Sequence, residues 1–206
     1  MKTLELFSGT QSFSKGVKRL YPDSTTITVD ILPKFQPTHV ADILSWDYKQ
    51  YAPGTFDIIW ASPPCTEYSK AKTQGTRNLA LADSLVRKAF EIIDYFQPSV
   101  WILENVGTGL LVKRMDSIRP SLQKVFGDYC FYGKPYRKRT VFWSNASFIL
   151  EVCPGKEKCK SIVNGRHIGS CGNGYKKYNS VGVSSVWEKD EIPELLIDSL
   201  LQQIKN

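Results

Sequence analysis

The sequence predicts an α/β fold built on a mostly parallel sheet, and three patterns support this. Short apolar, β-branched runs recur at residues 3–7, 26–31, 56–60 and 100–103. The runs before Ala61 and Glu104 are the most apolar, as strands buried on both faces are. Helical periodicities lie between them, so strands and helices take turns along the chain.

The first strand, Thr3-Leu4-Glu5-Leu6-Phe7, is broken by Ser8-Gly9-Thr10 and followed by Phe13, Val17 and Leu20 at helical spacing. Strand, glycine turn and helix form the first half of a nucleotide-binding unit. The second strand reaches Asp30, where a carboxylate at a strand end can accept hydrogen bonds from both hydroxyls of a ribose. The third runs into Ala61-Ser62-Pro63-Pro64-Cys65-Thr66-Glu67-Tyr68-Ser69. Two prolines fix φ and turn the chain out of the sheet, which presents the Cys65 thiol on a stiff loop, a nucleophile's position. The competing reading of Cys65 alone is a buried small hydrophobe. The fourth strand ends in Glu104-Asn105-Val106, so neighbouring strand ends offer a thiol and a carboxyl.

Lys70, Lys72 and Arg77 surround Gly75 with no acid between positions 70 and 78, which predicts a mobile segment drawn to phosphate. Asn78 caps a helix whose Leu79, Ala82, Leu85, Val86, Ala89, Phe90, Ile93 and Phe96 share one face, with Pro98 just beyond it. A further helix is expected over 114–126, with Pro120 inside it and Gly127-Asp128 closing it. Strands at 129–132 and 140–143 around Gly133-Lys134-Pro135 then predict an antiparallel hairpin. The tail carries Leu195, Leu196, Leu200, Leu201 and Ile204 as the apolar stripe of a last helix, entered through Pro193.

Composition sets the outer limits. With 206 residues, 42% hydrophobic and 23% charged, there is room for one domain and a small insert. No run of 18 apolar residues occurs and the N-terminus lacks a signal peptide's architecture, so an intracellular, cytoplasmic protein with no membrane partner is expected. Five cysteines, an odd number, suit a reducing compartment better than a disulfide framework. The net charge of +7 is concentrated: from Lys134 to Lys177 ten Lys and Arg face two acids. A phosphate-binding face produces such a segment, and so does a solvated surface.

Between residues 146 and 180 helical periodicity vanishes and Cys153, Cys159, His167 and Cys171 appear with the spacing C-x5-C-x7-H-x3-C. Thiolates and an imidazole suit tetrahedral zinc, and so short and polar a segment would need a metal to hold a shape. The alternative is four unrelated loop residues. Residues 1–145 with 181–206 are thus expected to form the main domain, and 146–180 a small basic insert.

PPC at 63–65 and ENV at 104–106, in this order and spacing, resemble the cytosine-5 DNA methyltransferase family, whose catalytic pair those motifs carry. The resemblance spans the chain outside the insert and is to a short, phage- or virus-like form. It implies a Rossmann-like fold that uses S-adenosylmethionine, and a cytosine rotated out of double-stranded DNA. Cys65 would add to carbon 6 of the ring; Glu104, its carboxyl protonated through burial, would hold N3 and the amino group. Phe7-Ser8-Gly9 resembles the family's first motif, so Phe7, Ser8, Gly9, Thr10 and Pro63 are expected around the cofactor, Asp30 on its ribose and Ile31 on its adenine. Asp42 would accept from the adenine amino group, or else cap a turn. The family carries a second glycine where Gln11 stands, which predicts a different turn or a cofactor lying further out. Arg137 and Arg139 resemble the family's Arg-x-Arg motif, although Pro135 replaces its glutamine and the spacing is shortened. They are expected near the base carbonyl, the thiolate or a phosphate. The 70–77 segment would close over DNA, the last helix would pack beside the first strand, and the insert would stand in the target-recognition position. Its small size implies limited base-sequence specificity. Two other readings stay open: a cytosine-5 methyltransferase of transfer RNA, and a catalytically inactive nucleic-acid-binding protein on the same fold.

Overall fold

The computed structural model describes residues 1–169 and 191–204. At its centre lies β1 (Lys2–Leu6), buried from Thr3 onward. The chain crosses through α1 (Ser12–Leu20) to β2 (Thr25–Asp30), parallel to β1, and then to the short β3 (His39–Val40) outside it. It returns to place β4 (Ile58–Ala61) on the other side of β1, and α2 (Leu79–Phe96) leads to β5 (Val100–Val106), again parallel. Strand order therefore reverses at β1 and β4, and a crevice opens beyond their carboxyl ends, where open α/β sheets bind ligands. After α3 (Leu111–Ile118), β6 (Lys124–Asp128) and β7 (Arg139–Ser144) complete the order β3-β2-β1-β4-β5-β7-β6, with β7 antiparallel to both neighbours.

Both faces of this sheet are covered, which explains the apolar runs before Ala61 and Glu104. Leu4, Leu6, Ile59, Ala61 and Leu103 meet Val86, Ala89, Ile93 and Phe96 of α2. The alternate residues Ile58, Trp60 and Ile102 meet Phe13 and Val17 of α1, together with Leu196, Ile197, Leu200 and Leu201 of α4 (Glu194–Ile204). Trp60 stacks on Phe13 with ring centroids 5.1 Å apart. The last helix packs on α1 so closely that a Cβ on Gly16 would lie 2.4 Å from Ile197 Cγ2. No helix among the described residues is long and apolar enough to cross a membrane.

Asn78 caps α2 as expected, its Oδ1 accepting the Leu81 N–H at 3.0 Å. The expected helix over 114–126 is corrected. α3 stops at Ile118, because Arg119 is extended ahead of Pro120 and the proline ring disfavours helical backbone in the residue before it. Val125 instead pairs with Phe142 in β6. Residues 129–132, expected as a strand, form a turn in which the Asp128 carbonyl accepts the Phe131 N–H and the Tyr129 carbonyl accepts the Tyr132 N–H. The hairpin exists, but its first strand lies earlier in the chain.

Candidate active site

A cavity of about 490 Å³ opens at the reversal point, within the range that holds a cofactor-sized ligand. Its floor is the turn after β1. Phe7 and Gly9 both have left-handed backbone, with φ of 57° and 44°. For Phe7 this region is sparsely allowed, and such outliers gather at functional sites. Gln11 also sits in this region, at φ 58°, and its N–H bonds the Ser8 carbonyl at 2.6 Å. The glutamine thus holds a left-handed conformation that glycine enters more readily, and its Nε2 tethers the carbonyl of Phe35, another wall residue, at 2.6 Å.

All eight residues expected around the cofactor line this cavity: Phe7, Ser8, Gly9, Thr10, Asp30, Ile31, Asp42 and Pro63. The Asp30 carboxylate is fixed by the N–H groups of Gly9 and Leu32, each at 2.8 Å, and each oxygen retains acceptor capacity. The Ser8 hydroxyl is buried without a hydrogen-bond partner among the described residues, which points to a ligand that supplies one. Ile31 is 60% exposed and lines the cavity, an apolar surface open to a ligand. Asp42 caps a turn, accepting the Leu44 N–H at 3.0 Å, and it also lines the cavity.

Cys65 and Glu104 line the same cavity. Glu104 is 8% exposed and lies inside β5, paired with Phe142 of β7. Cys65 is half-buried on the loop after β4, where its carbonyl accepts the N–H groups of Tyr68 and Ser69 at 3.0 and 2.8 Å. The loop is pinned to β5 by Asn105, whose Nδ2 donates to the Pro63 carbonyl at 2.9 Å in the interior. Sequence reasoning took Asn105 only as a letter of the ENV motif and missed this tie.

Two expectations are corrected. Arg137 and Arg139 are not among the residues lining the cavity; their guanidinium groups bind the fully buried Asp128 carboxylate at 3.2 and 2.9 Å. Lys138, between them, lines the cavity, while the arginines on either side turn to Asp128. Burial pushes the Asp128 carboxyl up, but hydrogen bonds from Arg139, the Cys153 N–H and Arg137 outweigh that and hold it below the usual range. The 70–77 segment, expected to be mobile, is tied to Glu67. Lys72 Nζ reaches both Glu67 oxygens at 2.6 and 2.7 Å, and Arg77 donates to the carbonyls of Glu67 and Lys72 at 2.5 and 2.7 Å. Lys70 stays exposed.

One functional support left no signal in the sequence. Glu5, buried in β1, receives the N–H of Phe13 at 3.3 Å, the N–H of Ser14 at 3.0 Å and the Ser14 hydroxyl, and so anchors the first turn of α1 beneath the cavity floor. Of the expected metal ligands, Cys153, Cys159 and His167 come together, while Cys171 lies outside the described residues. Cys130, read from the sequence as part of a strand, joins the cluster.

Comparison with known proteins agrees with this geometry. Over 177 residues the chain is 36% identical to the Frog virus 3 (isolate Goorha) protein named "Probable DNA (cytosine-5)-methyltransferase", covering 79% of each. Over 204 residues it is 25% identical to "Type II methyltransferase M.AgeI" of Thalassovita gelatinovora, covering 82% of this chain and 44% of that protein. The solved structure of Entamoeba histolytica methyltransferase EhMeth shares the fold, with a TM-score of 0.55 at 18% identity over 73% of this chain and 56% of that one. The chain thus spans about half the length of these last two proteins. The profile of C-5 cytosine-specific DNA methylases matches residues 1–129, the stretch that carries the cofactor turn, the PPC loop and the ENV strand end, and the chain belongs to that family.

Proposed function

We propose that the chain acts as a DNA (cytosine-5)-methyltransferase, moving the methyl group of S-adenosylmethionine to carbon 5 of a cytosine rotated out of double-stranded DNA. One observation carries this: Cys65 and Glu104, from adjacent strands, line a single cavity with the turn from Phe7 to Thr10. S-adenosylmethionine supplies an electrophilic methyl group when bound. Ser8 and Gly9 would hold its amino-acid end, Asp30 its ribose, and Ile31 and Asp42 its adenine.

Carbon 5 of cytosine is a poor nucleophile within an aromatic ring. Cys65, as thiolate, adds to carbon 6; the C–S bond forms and the former π pair becomes available at carbon 5. The Glu104 carboxyl holds N3 and the amino group and neutralises the charge that develops there. That pair forms the new carbon–methyl bond as the donor's sulfur–methyl bond breaks. A water then takes the carbon 5 proton, its bonding pair re-forms the ring double bond, and the C–S pair leaves with Cys65 as thiolate. Rotating the base out of the duplex costs about a few kcal/mol, which cationic groups such as the exposed Lys70 and the cavity-lining Lys138 would help to offset. In this reading residues 1–145 with 181–206 form the catalytic domain and 146–180 a reduced target-recognition segment.

Tritium transfer from labelled cofactor to duplex DNA and to transfer RNA tests the reading. Incorporation into DNA, lost in Cys65→Ser, is the expected outcome. Incorporation into transfer RNA alone would reassign the substrate, and DNA binding without transfer to either polymer would overturn the proposal.

A further inference from the structure

We propose that Cys130, Cys153, Cys159 and His167 form a structural zinc site that pins the basic insert to the β6–β7 hairpin of the catalytic core. The four donor atoms all lie within 4.8 Å of one another. Cys153 Sγ and Cys159 Sγ stand 3.5 and 3.6 Å from His167 Nε2. A tetrahedral zinc with bonds of about 2.3 Å to sulfur and about 2.0–2.1 Å to nitrogen sets its sulfur and nitrogen ligands about 3.6 Å apart. The two sulfur-to-nitrogen edges therefore match those of a tetrahedral zinc site, and the remaining donor atoms lie within 4.8 Å.

Separate pieces of local structure deliver the ligands. Cys130 sits in the turn after β6. Cys153 is held beside that turn, its N–H donating to Asp128 Oδ2 at 2.9 Å. Cys159 closes a turn begun at Gly155, whose carbonyl accepts the Cys159 N–H at 2.9 Å. His167 arrives on a two-residue hairpin of β8 (Ile162–Val163) and β9 (Arg166–His167). The central residues Asn164 and Gly165 have φ of 51° and 75°, which the favoured type I′ hairpin turn requires. Ile162, opposite His167, donates its N–H to the Cys159 carbonyl at 3.0 Å, so the imidazole is set beside that thiol by backbone alone.

Among the described residues the insert is joined to the core by hydrogen bonds, such as Ser161 Oγ to the Lys134 carbonyl at 3.0 Å and the Gly169 N–H to the Pro135 carbonyl at 2.8 Å, and little of it is buried. Of residues 151–169 only Cys159 and Gly169 are buried, and Val152 and Val163 are exposed. So small and polar a segment lacks a hydrophobic core and takes its shape from a cross-link. Zinc loading releases the three thiol protons to solvent and leaves a centre of net charge −1. Arg137, bound to Asp128 and interacting electrostatically with Cys130 and Cys153, offsets that charge. Three thiolates and one imidazole select zinc, and four protein ligands leave no open coordination position, so the site holds structure rather than doing chemistry.

Elemental analysis of the full chain expressed in zinc-replete medium tests this, with Cys130→Ser and Cys171→Ser beside it. The expected result is about one zinc per chain in the wild type and in Cys171→Ser, and near none in Cys130→Ser. If Cys130→Ser is insoluble, cobalt substitution in the wild type decides, since three thiolates give strong sulfur-to-cobalt absorption with tetrahedral visible bands. Wild type without metal, a disulfide among the three cysteines, or zinc lost from Cys171→Ser but kept by Cys130→Ser would each overturn the proposal. Metal content is read without reference to methyl transfer, so this result and the activity assay stand or fall separately.

Discussion

Glu5 offers a test of how the cavity floor is held. Its carboxyl is fully enclosed; burial raises its pKa from 4.5 to about 7, although the hydroxyl and N–H of Ser14 and the N–H of Phe13 pull the other way. The unfolded chain gives up this proton near 4.5, whereas the folded chain keeps it until about 7. Between those values the unfolded state gains relative stability as it ionises, so the folding free energy falls as pH rises across the window and then levels off. A displacement of this size corresponds to about 3 kcal/mol at roughly 1.4 kcal/mol per pH unit. Glu5→Gln keeps an acceptor for one N–H but cannot ionise. Its own cost, an amide nitrogen facing donors of α1, is the same at every pH. Urea denaturation of both proteins from pH 4.5 to 8 should show the wild type losing about 3 kcal/mol relative to the variant. Parallel curves would refute the argument. They would mean that Glu5 is charged in the fold throughout and that its three donors outweigh its burial.

Other substitutions probe the same frame. Asn105→Ala leaves the buried Pro63 carbonyl without its donor, with an expected loss of about 1–3 kcal/mol in thermal or urea unfolding. It should lower kcat more than it raises KM for S-adenosylmethionine, because the thiol loop loses its tie to the strand of Glu104. Gly16→Ala places a methyl 2.4 Å from Ile197 Cγ2 and should destabilise by about 1–3 kcal/mol. Adding Ile197→Leu, which removes the branch at Cβ, should recover part of that loss. The logarithm of the DNA binding constant should fall linearly with log salt, about tenfold in affinity between 50 and 200 mM even if only two phosphates are contacted. A flat salt response in a filter-binding titration would remove the electrostatic role given to the basic segment.

β1, β2, β4, β5 and α2 were legible because each is long or apolar enough for its pattern to decide, and Asn78 and Pro98 mark the ends of α2; the two-residue β3 was too short to leave a pattern. The region after α3 was not. Ile118, Leu122 and Val125 fall at helical spacing, yet Pro120 divides them and Val125 belongs to a strand fixed by a partner, Phe142, that local pattern cannot identify. The cofactor turn and the Cys65–Glu104 pair were legible through short motifs placed at strand ends. Lys138 was overshadowed by the arginines on either side. Cys130 was missed as a ligand because only the hairpin brings it to Cys153, far along the chain. The dipeptide Asn164-Gly165 would have announced the turn that presents His167.

β5 has a parallel partner on one side and an antiparallel one on the other, so the strand bearing Glu104 is locked by backbone pairing along both edges. The chain around Cys65 lies outside the sheet and is held through side chains and turn hydrogen bonds, among them those of Asn105, Tyr68 and Glu67. Carboxyl and thiol are thus secured by different means, one by the sheet and the other by a loop. A change that loosens Asn105 would therefore displace the sulfur and leave the acid where it stands.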